Sequence, residues 1–230
     1  MRYYYNKNSQ KRFSAGISAT WLIIIATGII SILGLILFAI NPDFIKWFAI
    51  NPEYILSGKY LWTLFLHVFV HGGPGHLLIN MIALHSLGRI CERIIGRVRF
   101  LIFYIISGIF AGILAVLASG FLSFGLLEKI VGPQNAFMLG ASGAIFGIAG
   151  LFVVIIPKAR FSLIFFPFFS LPAWVMVPLI LALTWLATIA ANLSIGNVAH
   201  FGGFLSGIIY GIYLRKKYKK RVMLLDHYFR

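Results

Sequence analysis

The sequence predicts an all-α, polytopic membrane protein, a bundle of six transmembrane helices. Three observations lead there. Apolar residues make up 60% of the 230-residue chain and charged residues only 11%, against about 25% charged in a soluble domain, so the charges cannot cover a water-facing surface. The mean hydropathy of +0.94 agrees. Six apolar runs have the length, about 17–25 residues, that crosses a bilayer core as helix, and the basic residues fall almost entirely on one side of them.

The first run covers residues 20–40 and follows Arg2, Lys7, Lys11 and Arg12. It is longer than the ~7–15-residue core of a cleavable signal peptide, so a retained first helix is expected after a short segment, 1–19. Residues 41–74 hold many aromatics without an unbroken span and read as an external loop partly embedded at the interface, where Trp and Tyr are favoured. Spans follow at 75–95 and 100–120. Residues 121–138 form a second external loop broken by Gly125, Gly132 and Pro133. The fourth span is 139–156. An aromatic stretch interrupted by Pro167 and Pro172 leads to the fifth, 173–192, and the sixth is 198–214. The membrane domain is thus 20–214, with a basic tail at 215–230.

Charge orients the bundle. With six spans both termini share a side, and that side holds all the basic residues except Lys46, Lys59 and Lys129. The positive-inside rule makes it the cytoplasmic side. The net charge of +15 therefore points to topology, and no nucleic-acid partner is expected. The tail reads as a stop-transfer anchor, with a specific lipid site as the lesser alternative. The cell membrane is the expected location. Cys91 is the single cysteine, which excludes an internal disulfide or a cysteine-based metal cluster.

Polar side chains inside a bilayer are costly, and their positions carry information. His76 and Asn80 lie four apart on one face of the second span, just after His67 and His71, also four apart. The fourth span opens Gly140-Ala141-Ser142-Gly143, and the sixth carries His200 followed by Gly203 and Gly207. By this topology all three groups lie toward the external ends of their spans. Taken singly, the glycines are packing residues and Asn80 is interhelical glue. Taken together, they form a serine, an imidazole to activate it and polar donors for an oxyanion. Ser142 also sits near a helix N-terminus, where unpaired N–H groups favour negative charge. The acids are Asp43, Glu53, Glu92, Glu128 and Asp226, all in loops or on the cytoplasmic side, which favours a Ser–His dyad over a triad.

With these residues in view, the chain resembles the rhomboid family of intramembrane serine proteases from about Trp62 to Gly207. The resemblance rests on His71-x-x-x-x-His76-x-x-x-Asn80, on Gly140-Ala141-Ser142-Gly143 and on Ala199-His200-x-x-Gly203-x-x-x-Gly207. It implies a rhomboid-like six-helix bundle, Ser142 as nucleophile and His200 as base. It also implies an oxyanion hole from His76, Asn80 and the backbone amides of Ala141 and Ser142. His71, Gly140, Gly143, Phe146, Gly203 and Gly207 are supporting residues, His71 as a structural histidine and Phe146 stacked on His200. The implied partners are the lipid bilayer and transmembrane protein substrates cut near the external face, with residues 161–172 and the fifth span as a gate. No cofactor or metal is expected.

Three positions depart from the family pattern. Thr63 follows Trp62 where an arginine is usual, Glu92-Arg93-Ile94 replaces a Glu-x-Arg motif, and Phe146 stands where Tyr is common. The first two bear on how the first external loop and the cytoplasmic end of the second span are held. Two competing readings are an inactive member that binds membrane clients and a metal transporter or haem protein using His67, His71, His76 and His200. The first conflicts with the retained serine and histidine, the second with the lack of acidic ligands in the external halves of the spans.

Overall fold

The computed structural model describes residues 17–163, 166–191 and 196–229; Arg2, Lys7, Lys11, Arg12, Asn192 and Arg230 lie outside the described residues. The chain is mostly helical. Helix α1 is Ala19–Ile40, and α2 spans residues 74–95 as Pro74–Ala83, a π-helical turn at Leu84–Gly88, and Arg89–Ile95. Then come α3 (Arg97–Leu122) and α4 (Ser142–Ile155). A two-stranded hairpin of β1 (Arg160–Leu163) and β2 (Phe166–Pro172) precedes α5 (Ala173–Ala191). Helices α6 (Asn197–Lys217) and α7 (Lys219–Tyr228) end the chain.

Among the described residues, three helices are long and apolar enough to cross a membrane, α1, α3 and α5. Two differences from the sequence reading stand out. The hairpin at 160–172 departs from an all-helical chain. Its antiparallel pairing, Phe161 with Leu171 and Ser162 with Ser170, slips at Leu163. Its prolines are tolerated because each of two paired strands has a free edge. The serine helix is also shorter than its apolar run. It has 14 residues, about 21 Å at 1.5 Å per residue, and Leu139 and Gly140 lie before it.

The helices pack by the logic of lipid-soluble bundles, with small and polar residues inward and large aliphatics outward. On α1, Thr20, Ile23, Thr27, Ser31 and Gly34 form the buried stripe, while Leu22, Ile25, Ile29, Ile32 and Ile36 are exposed. On α3 the buried stripe is Ser107, Gly108, Ala111, Gly112, Ala115 and Ser119. Helix α4 is buried along most of its length and meets α6 most closely. A Cβ on Gly203 would overlap the Gly143 carbonyl, one on Gly207 the Gly147 carbonyl, and one on Gly150 the Phe204 carbonyl. Here glycine permits backbone-to-backbone contact that no other residue allows.

The positions that depart from the family pattern have their own solutions. Glu92 is buried and accepts hydrogen bonds from Ala19 N–H (2.8 Å), Thr20 N–H (2.9 Å) and Thr20 Oγ1 (2.7 Å). The carboxylate thus caps the N-terminus of α1, where unpaired N–H groups and the helix dipole favour an anion, and ties α1 to α2. Thr63 is buried and donates from Oγ1 to the Tyr60 carbonyl at 2.8 Å. Residues 41–73, expected as a loop, are largely short helical turns. They are held by stacking of Trp47 on Trp62 (5.7 Å) and by Trp62 Nε1 donating to the Trp47 carbonyl. Backbone bonds between Ile50 and Met138, and Asn51 Nδ2 donating to the Asn135 carbonyl at 2.9 Å, join this segment to the one leading into Ser142.

Candidate active site

Ser142 is the first residue of α4 and His200 lies in the first turn of α6. The glycine contacts that draw these helices together bring Ser142 Oγ to 2.8 Å from His200 Nε2. The ring of Phe146, one turn below Ser142, stacks on His200 with centroids 4.6 Å apart and planes at 27°. His200 Nδ1 is buried and has no hydrogen-bond partner among the described residues, so no carboxylate orients the ring. Among the described residues the pair stands without a third member.

Gly140 has φ +130°, a conformation L side chains rarely adopt, and a Cβ there would lie 2.8 Å from His76 Cε1. The missing side chain lets the His76 ring lie over the turn that precedes Ser142. Asn80, one turn along α2, is buried and donates one Nδ2 proton to the His76 carbonyl at 2.9 Å. Its amide has a second proton to offer. The Ser142 N–H is at the first helical position, where no i−4 carbonyl of the helix can receive it.

His71 packs edge-on against His76, centroids 4.9 Å apart, and its hydrogen bonds define its tautomer. Nε2 accepts the Ala141 N–H at 3.2 Å, so it carries no proton. Nδ1 then donates to Ser31 Oγ at 3.0 Å, and the Ser31 hydroxyl passes its own proton to the Phe69 carbonyl at 3.0 Å. Burial, and then the neighbouring His76, hold the His71 pKa down at about 3, which keeps Nε2 an acceptor. One consequence runs against the sequence reading: the Ala141 amide is committed to His71, so it does not face the space where an oxyanion would form.

His76, Asn80, Ser142 and His200 line a cavity of about 1100 Å³. It runs along α4 to Phe152 and the hairpin residue Phe161, with Met176 and Val177 of α5 on one wall. The hairpin stacks Phe161 on Phe152 (5.6 Å) at the end of α4 opposite Ser142, so of the two expected gating elements the hairpin closes the far end of the cavity and α5 runs along its side. Helix α5 is the more weakly held wall. Only 22% of its apolar stretch is buried; backbone bonds from Ala173 and Trp174 to the Ala159 and Pro157 carbonyls hold its start, and beyond them its side-chain ties are Trp185 Nε1 to the Ile130 carbonyl and Asn197 Nδ2 to Thr188 Oγ1. Among the described residues no three His, Cys, Asp or Glu side chains are grouped to share a metal ion. Ser31 and Thr20 were missed by the sequence reading. Their signal was available, as hydroxyls spaced along one face of an otherwise apolar first span.

Residues 58–217 match the family model described as a Rhomboid domain. The chain is 31% identical over 180 residues to Rhomboid protein 1, mitochondrial, of Saccharomyces cerevisiae, covering 76% of this chain and 47% of that one. It is 28% identical over 176 residues to the human presenilin-associated rhomboid-like protein, mitochondrial (76% and 43%). To RHOMBOID-like protein 4 of Arabidopsis thaliana it is 32% identical over 174 residues (72% and 37%). It thus spans less than half the length of these relatives. The matched domain covers more than half of the chain and includes Ser142, His200, His76 and Asn80, and this multi-pass membrane protein belongs to the rhomboid family.

Proposed function

We propose that the chain is an intramembrane serine endopeptidase that cleaves transmembrane proteins near the external membrane face with a Ser142–His200 dyad. The observation that carries this reading is the 2.8 Å contact between Ser142 Oγ and His200 Nε2 on the wall of a large cavity. Ser142 Oγ attacks the scissile carbonyl while Nε2 takes its proton. The imidazolium so formed has no carboxylate beside it. The face of Phe146, stacked on the ring, offers cation–π support instead, and this role needs no hydroxyl. The tetrahedral oxyanion is received by the Ser142 N–H, the free Nδ2 proton of Asn80 and the His76 ring, and the Ala141 amide is left out of the set. Collapse expels the amine, protonated by His200, and water then hydrolyses the acyl-enzyme by the same proton route in reverse.

The proposal includes six spans, with the 74–95 run, the short α4 and α6 joining the three long apolar helices, and both termini in the cytoplasm. The charge distribution supports it. Two of the three relatives named above are mitochondrial by name, which gives no support to the expected cell membrane, so the proposal assigns a side and not an organelle. The substrate is a transmembrane segment that reaches the cavity past α5 and unwinds at the cut, because a helical scissile bond is shielded.

The decisive experiment is incubation of the purified protein with a transmembrane reporter, comparing wild type with Ser142→Ala. Cleavage by wild type, insensitive to chelators and lost in the variant, is expected. Equal cleavage by folded Ser142→Ala would overturn the mechanism.

A further inference from the structure

At the end of the molecule opposite Ser142, the basic tail does not trail away from the bundle. Helix α7 folds back, burying Val222 and packing Leu225 and Phe229 against the core. Between α7 and the ends of α2, α3, α4 and α6 lies a second cavity of about 100 Å³. Its walls are apolar, from Ile95, Ile155, Leu214 and Val222, and its polar lining is Arg99, Tyr218 and Arg221. Both arginines are exposed, and each holds its guanidinium carbon 6.0 Å from the centroid of the Tyr218 ring; Lys217 Nζ is 5.7 Å from it. Two guanidinium groups, with the Lys217 ammonium that donates to Tyr213 Oη at 2.7 Å, therefore gather about one half-buried ring at the mouth of an apolar cleft. Two acids lie near the cluster in sequence: Glu92 is turned into the bundle to cap α1, and Asp226 is half-buried on α7 next to Leu225, so the three cations outnumber the one carboxylate on their side of the cleft.

We propose that this cleft is a binding site for an anionic glycerophospholipid of the cytoplasmic-side leaflet. Its headgroup phosphate would be received by Arg99 and Arg221, and the first methylenes of an acyl chain would lie against the apolar wall, the rest of the chain running on into the bilayer. Guanidinium groups suit the phosphate because their paired N–H donors match two of its oxygens. Basic pockets between transmembrane helices on this side of a membrane are where headgroups of such lipids bind. Apolar walls continuous with a cationic rim distinguish a lipid from a free anion, which has no use for the cleft. The site is independent of the dyad and rests only on the topology proposed above, which places this end on the cytoplasmic side.

The test is binding of a fluorescent phosphatidylglycerol to the full chain in nanodiscs of phosphatidylcholine. Wild type is compared with Arg99→Gln/Arg221→Gln and with Lys216→Gln/Lys219→Gln, which removes the same charge away from the cleft. Each basic residue near a membrane surface contributes about fivefold by charge alone. The arginine pair is expected to lower the preference for the anionic lipid about tenfold further than the lysine pair, with inorganic phosphate failing to displace the probe. Equal losses in both variants would mean diffuse attraction and overturn the proposal. Displacement by phosphate would mean an anion site and also overturn it. A photoactivatable phosphatidylglycerol on the wild-type protein gives a readout free of folding effects, and crosslinks are expected within residues 94–99 and 214–225. Crosslinks confined to other segments would refute the site.

Discussion

At the scale of single residues, the geometry separates the two histidines by their hydrogen bonds. His200 lies in hydrogen-bond contact with Ser142, whereas His71 is locked between Ala141 and Ser31 with both ring nitrogens engaged. Asn80 is the informative position, because truncating it leaves the Ser142–His200 pair in place and removes one oxyanion donor. Loss of one such donor costs about 10²–10³ in kcat where it is the main one. With His76 and the Ser142 N–H remaining, Asn80→Ala is expected to slow reporter cleavage by about 10–10²-fold. A fluorophosphonate probe should still label it slowly while failing on His200→Ala. Folded Asn80→Ala that is as unlabelled as His200→Ala would make Asn80 a support of the dyad itself.

Between elements, the distance that matters is set by glycine. The α4–α6 contact places Gly203 against the Gly143 carbonyl and Gly207 against the Gly147 carbonyl, and a backbone oxygen cannot rotate away as a side chain can. Gly203→Ala should force the two helices apart, at a cost of about 1–3 kcal/mol typical of overpacking. It should lower the thermal midpoint in detergent and lengthen the Ser142–His200 contact, so that cleavage falls more than stability alone explains. An unchanged midpoint together with unchanged cleavage would show that the contact is more accommodating than the backbone geometry indicates. At the same scale, Phe146 meets His200 through its ring face, with centroids 4.6 Å apart, a contact in which a tyrosine hydroxyl would take no part.

For the whole molecule, charge decides direction. A reporter fused after Arg230 is expected to read cytoplasmic and one inserted beside Lys129 external, because under the proposed six spans the basic residues gather on the side of the termini. An external reading at the C-terminus would remove or add a span and place the Ser142 end of the cavity on the cytoplasmic face. The two ends of the molecule are then chemically distinct. One holds the polar cluster and its large cavity, and the other holds the cationic cleft under α7.

Much of this was open to reading from the chain alone. Composition settled that the protein lives in lipid, since 11% charged residues cannot solvate a surface. Local motifs marked Ser142, His200, His76 and Asn80, because a polar side chain in an apolar run is rare enough to be conspicuous. The glycines that permit close approach were equally visible. Tertiary structure decided what depends on partners distant in sequence. The Ala141 amide could be assigned to His71 only once residues 70 positions apart were in contact. Glu92 could be seen to cap α1 only across 72 and 73 positions. The hairpin at 160–172 and the return of α7 onto the bundle were not legible, because aromatic stretches and short basic helices carry no period that names their neighbours. Periodicity and composition report the solvent a residue faces, and only the packed chain reports which group takes each hydrogen bond.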